Sequence, residues 1–189
     1  MKLKLIPTLA LVSGLSLAMA ACSASNDATD ADEAATDTAT PAAVQTTAAA
    51  DHASQFLTDV IQTNNAEIKF GQAAQSMGST QTVRDFGKML VDDHTKANAQ
   101  ASQIAKSMNV AVPTGIKPDD MAAYNMATGM KGADFDKDFA AAMVKGHQKA
   151  VDMFQQEVDS GDPAQVTDFA KQTLPTLQKH LETAQSLQK

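Results

Sequence analysis

Four stretches of this chain repeat apolar residues at a 3.6-residue period for about 25 residues each, and no segment alternates with period two over strand length. That pairing points to an all-α fold. The first stretch, Asp51 to Met77, carries Phe56, Val60, Ala74 and Met77 on one face. Gly78, Ser79 and Thr80 then offer a glycine C-cap and a hydroxyl N-cap, enough for a tight turn between antiparallel helices. The second stretch, about Thr80 to Asn109, continues with Val83, Phe86, Leu90, Ala97, Ala101, Ile104 and Met108. Residues 110 to 133 contain Pro113, Gly115, Pro118, Gly129 and Gly132, which leave room for one short helix from Pro118 to about Met130 inside a long crossover. A third stretch runs from Asp134 to about Asp159 through Phe135, Phe139, Met143, Val151, Phe154 and Val158. Ser160-Gly161-Asp162-Pro163 ends it and starts the fourth, with Asp162 as cap and Pro163 in the first turn; Val166, Phe169, Leu177, Ala184 and Leu187 follow. Helices of this length span about 38 Å, and two short turns flanking one long link describe a four-helix bundle with a short fifth helix in the crossover between helices two and three.

The segment DFGKMLVDDHTKA (residues 85–97) is echoed by DFAAAMVKGHQKA (residues 138–150), with the histidine eight residues after the Phe in both. At about 100° per residue, His94 falls on the stripe of Leu90 and Ala101, His147 on that of Met143 and Val151, and His180 on that of Phe169 and Ala184. In the first helix Glu67 holds the matching place between Val60 and Ala74. Each long helix thus sends one ionisable residue toward the core near its middle. Buried without partners such groups are costly, so the four are expected to face one another. Two readings follow: a hydrogen-bonded layer that fixes helix register, and a mononuclear metal site in which Glu67, His94, His147 and His180 hold Zn, Fe, Mn or Cu.

A di-iron centre is disfavoured, because Val91 and Leu177 stand where an E-x-x-H pattern needs glutamates ahead of His94 and His180. Met143, one turn before His147, is a soft copper ligand or core filler. Asp92 and Asp93 point about 160° and 100° away from His94 and are expected in solvent. His52, in the first turn, receives no role. Pro175 predicts a bend in the last helix, and Gly71, Gly87 and Gly146 predict close helix contact. From Asp51 onward there are 13 basic and 17 acidic residues, one Tyr and no Trp, which offers neither a basic face nor an aromatic platform for nucleic acid. Serine-histidine and cysteine-histidine nucleophile patterns, phosphate-cradling glycine loops and a second buried acid are all missing, so covalent catalysis and hydrolysis by paired carboxylates are not expected, and the catalytic alternative left is a metal-dependent oxidoreductase.

The N-terminus reads as an address. Residues 1–21 open with Lys2 and Lys4, continue through the apolar run Leu5 to Leu17, and end in small residues, as an export signal does. Cys22, the only cysteine, follows LSLAMAA in the manner of a lipobox and would anchor the chain to a membrane, with Ser23 behind it pointing to the outer membrane. Ala18-Met19-Ala20 offers the alternative of cleavage for soluble export. Residues 22–50 hold five acidic residues and no Lys or Arg among Ala and Thr, and are expected to form a disordered tether ahead of a domain at 51–189.

EIKFGQAA, DFGKMLVDDHTKAN, FDKDF, MVKGHQKAVDMFQQEV and FAKQTLPTLQKHLETAQSL together resemble the bacterial family called domain of unknown function 4142, often labelled predicted outer membrane protein. The resemblance spans about residues 55 to 187 and includes Glu67, His94, His147 and His180. It implies a ferritin-like helical bundle in the cell envelope and does not imply an activity.

Overall fold

A computed structural model describes residues 42–189, with side chains placed from residue 48 onward. The export signal, Cys22 and the tether as far as residue 41 lie outside the described residues. Five helices and no strand occur among those described: α1 (Ala42–Met77), α2 (Gln81–Ser107), α3 (Pro118–Thr128), α4 (Ala133–Asp159) and α5 (Ala164–Ser186). None is long and apolar enough to cross a membrane.

The helix starts earlier than expected. Acidic residues of the tether stop at Asp37, and AAVQTTAAA (residues 42–50) is uncharged and alanine-rich, so residues with high intrinsic helix propensity extend α1 nine residues ahead of Asp51. The first turn forms as its residues dictate: the Gly78 amide donates to the Ala74 carbonyl at 3.0 Å, and Thr80 Oγ1 accepts the Val83 amide at 3.3 Å. Gly71 and Gly87 let the α1 and α2 backbones touch. A Cβ on Gly71 would lie 2.6 Å from the Gly87 carbonyl oxygen, and one on Gly87 would lie 2.7 Å from the Gly71 oxygen. Gly146 differs from that expectation, since a Cβ there would meet only Glu67 Oε1, at 3.3 Å.

Asp162 does not cap α5. Pro163 occupies the N-cap with extended backbone, and the Asp162 carboxylate turns instead to His52 across the bundle end. Gly161, with φ of 76°, supplies the left-handed residue that this turn needs. At the other end Asp136 of α4 accepts from the Ser79 amide at 2.9 Å and the Ser79 hydroxyl at 2.6 Å, tying the two hairpins together. The crossover is held on α1 by Lys117–Asp59 at 2.7 Å and by Asn65 Nδ2 donating to the Gly115 carbonyl at 3.0 Å.

Two apolar clusters fill the bundle. One gathers the starts of α1 and α5 and the ends of α2 and α4 around Phe56, Ile61, Ala101, Phe154, Phe169 and Leu177. The other packs Phe70, Phe86, Leu90, Phe139, Met143 and Ala184. Between them, on every long helix, the stripe is interrupted by polar residues: Asn64 and Glu67 on α1, His94 on α2, His147 on α4 and His180 on α5, all buried. This is an all-α four-helix bundle whose core is cut at mid-height by a polar layer.

Candidate metal centre

The three imidazoles meet. Their ring centroids are 5.6 Å (His94–His147), 5.3 Å (His94–His180) and 5.2 Å (His147–His180) apart. One ring nitrogen from each lies within 4.8 Å of the other two.

The remaining nitrogens fix how the rings are protonated. His94 Nδ1 sits 2.8 Å from Asn64 Oδ1, His147 Nδ1 sits 2.9 Å from the Met143 carbonyl oxygen, and His180 Nε2 sits 3.1 Å from Asp93 Oδ2. All three partners are acceptors, so each of these nitrogens carries the proton and donates. His94 Nε2, His147 Nε2 and His180 Nδ1 are then left as lone pairs, buried and without any hydrogen-bond partner. Burial, followed by the charges of His147 and His180, holds the His94 pKa well below 6.5. Burial and His147 push His180 down to about 4, against the upward pull of Asp93. Both rings are neutral at pH 7 and free to ligate.

Glu67 stands beside this set. Its Oε1 is 4.0 Å from His147 Nδ1, the nitrogen already committed to Met143, and its Oε2 has no partner. Burial raises its pKa, with His147 opposing. The structure therefore brings together three of the four residues expected to converge and sets Glu67 one shell out, beside the back of the His147 ring.

Two contributors were not foreseen from sequence. Asn64 lies three residues before Glu67 on the same stripe and reaches His94, a place open to any polar residue on that face. Asp93 was expected in solvent because it points away from His94; the 100° turn directs it toward α5, where it orients His180 while keeping its side chain about one-third exposed. Asp92 behaves as expected, exposed and paired with Lys88 at 2.6 Å.

A cleft of about 240 Å³ between α2 and α5 reaches His94 and His180, with Asp93, Gln100, Gln172 and Thr176 also on its walls. α5 runs through Pro175 as a continuous helix, and Gln172, Thr173, Thr176 and Leu177 on either side of it line the cleft. The missing N–H of Pro175 leaves the Lys171 carbonyl without its usual helical donor.

No curated protein matches the chain. The crystal structure of a DUF305 fragment from Deinococcus radiodurans superposes with a TM-score of 0.65 at 16% identity, over 72% of this chain and 95% of that one, a likeness of fold alone. The family model for the domain of unknown function DUF4142 matches residues 37–187, which takes in all five helices and every residue of the polar layer. The chain belongs to that family.

Proposed function

We propose that this protein is an exported, lipid-anchored envelope protein that binds a single transition-metal ion at His94, His147 and His180, for storage, sensing or resistance rather than catalysis. The observation that carries the metal reading is the trio of buried, unpartnered ring nitrogens whose opposite nitrogens all donate to acceptors. Imidazoles that only fixed register would satisfy one another, and here none does. A single trapped water has two protons for three lone pairs; a cation satisfies all three. The backing of each ring by an amide oxygen, a backbone carbonyl and a carboxylate is the outer shell that metal-bound histidines use to set tautomer and basicity.

With Glu67 outside the trio the donor set is nitrogen-only, which favours zinc or copper over manganese. Three protein ligands leave a further coordination position, and the cleft between α2 and α5 gives it a route to solvent. Export and anchoring rest on the apolar run of residues 5–17 and on Cys22 after LSLAMAA, with Ser23 favouring the outer membrane.

Titration of the full chain with Zn²⁺ and Cu²⁺, beside a His94→Ala variant, tests the metal reading. Tight one-to-one binding by the wild type and its loss in the variant are expected. Equal binding by both, micromolar or weaker, would leave a purely structural layer in an envelope scaffold or stress protein.

A further inference from the structure

About 20 Å along α1 from the imidazole trio, given 1.5 Å per residue between His52 and the layer at Asn64 and Glu67, lies a second polar cluster. It joins His52 of α1, Glu157 of α4 and Asp162 of the α4–α5 turn. One donor atom from each lies within 4.8 Å of the others. We propose that these three side chains form a second cation site, for a divalent first-row ion of the manganese or zinc kind, independent of the imidazole trio.

Glu157 carries the case. Its side chain is fully buried, yet Oε2 has no hydrogen-bond partner and faces His52 Nδ1 at 3.6 Å. The other oxygen is served: Ser160 Oγ lies 3.4 Å from Oε1. His52 cannot serve both carboxylates, because its Nδ1 is engaged at 2.8 Å by Asp162 Oδ2, itself nearly buried. Two buried carboxylates thus share one imidazole, and an acceptor is left over.

A divalent ion removes that deficit. Metal–ligand bonds of about 2.0–2.2 Å at tetrahedral or octahedral angles place neighbouring donor atoms about 3–3.5 Å apart. The distances of 2.8 and 3.6 Å from His52 Nδ1 to the two carboxylate oxygens bracket that range. One imidazole with two carboxylates suits manganese, iron or zinc, and the nitrogen argues against magnesium or calcium. His52 is 55% exposed, so an ion reaches the site from solvent and water completes its shell. Burial and the neighbouring Asp162 push the Glu157 pKa up to about 7, with His52 opposing.

Manganese discriminates the two sites, since a carboxylate-rich set accepts it and a nitrogen-only set disfavours it. Mn²⁺ titration of the full chain, followed by loss of the free-ion electron paramagnetic resonance signal, should show one bound ion in the wild type and in His94→Ala. His52→Ala removes a half-exposed side chain and should weaken binding at least tenfold with unchanged circular dichroism. Asp162→Asn should do the same, read only on protein with wild-type helicity. No Mn²⁺ bound by the wild type, binding unaltered in His52→Ala, or binding lost in His94→Ala would each overturn the site.

Discussion

The two polar clusters share one physical problem, a buried acceptor without a partner, and differ in charge. In the middle of the bundle burial and neighbouring imidazoles drain His94 and His180 of protons, and two carboxylates, Asp93 and Glu67, stand behind the rings of His180 and His147. At the end of the bundle two carboxylates crowd one half-exposed imidazole, and burial raises the Glu157 pKa to about 7. Charge, more than depth, separates them. A mid-bundle layer pinned between two apolar clusters on four helices leaves little room for rearrangement. The end cluster hangs on a turn and on the first exposed face of α1.

The largest effect that separates them is on stability against pH in the metal-free protein. His180 falls from 6.5 to about 4 on folding, so the unfolded chain binds more protons between those values; its stabilisation is complete above pH 6.5 and is lost as pH falls toward 4. His94 acts in the same direction. Glu157 rises from 4.5 to about 7, so there the folded chain binds more protons; its stabilisation is complete below pH 4.5 and is lost as pH rises through about 7. The His180 and Glu157 shifts each correspond to something on the order of 3 kcal/mol. Between pH 4.5 and 6.5 the two slopes oppose and flatten the wild-type profile. Glu157→Gln removes one of them, so urea unfolding in the presence of chelator should show stability falling more steeply on acidification than in the wild type. Parallel profiles for the two proteins would mean that the end cluster does not titrate as described.

A smaller effect distinguishes the clusters by their outer partners. Asp93→Asn keeps an acceptor near His180 Nε2 but removes the charge that makes the ring a better donor to a metal. Loss of such a partner weakens metal binding by roughly 10–100-fold. Zinc affinity at the trio should fall within that range, while Mn²⁺ binding at the bundle end, about 20 Å away, should stay the same. A matching drop at both would point to general destabilisation.

Periodicity made the bundle legible, since each long helix carries a stripe of 3.6-residue period and the turns are written in Gly78, Thr80 and Gly161. The histidine positions were legible for the same reason: a residue on a stripe at mid-helix must enter the core. What escaped was everything decided by side-chain reach across helices. Asn64 and Glu67 share a stripe, and nothing in phase alone tells which of them supports His94. Asp93 is off the His94 stripe yet meets a histidine on another helix. His52 and Asp162 are 110 residues apart and touch because one bundle end gathers the start of α1 and the α4–α5 turn. The start of α1 was missed because tether and helix share an alanine-rich composition, and only the end of the acidic residues at Asp37 separates them.

Glu67 provides the finest test, because sequence phase places it among the ligands and the structure places it behind one. Glu67→Gln preserves shape and removes a charge whose nearest oxygen lies 4.0 Å from the proton-bearing nitrogen of His147. If the ion is held by the three imidazoles alone, zinc affinity should change by less than the roughly tenfold lower limit for an outer partner that hydrogen-bonds a ligand directly. Gly146→Ala sharpens the same point from the opposite helix. Helix propensity favours alanine by about 0.8–1.0 kcal/mol, but its Cβ would press on Glu67 Oε1 at 3.3 Å, and the carboxylate end must give by a few tenths of an ångström. Because Glu67 Oε2 is bound to nothing, it can yield, so the variant should be as stable as the wild type or slightly more so, with zinc affinity untouched. A loss of affinity in both variants, at constant stability, would restore Glu67 as the fourth ligand and change the donor set from neutral nitrogen to one that admits manganese and iron.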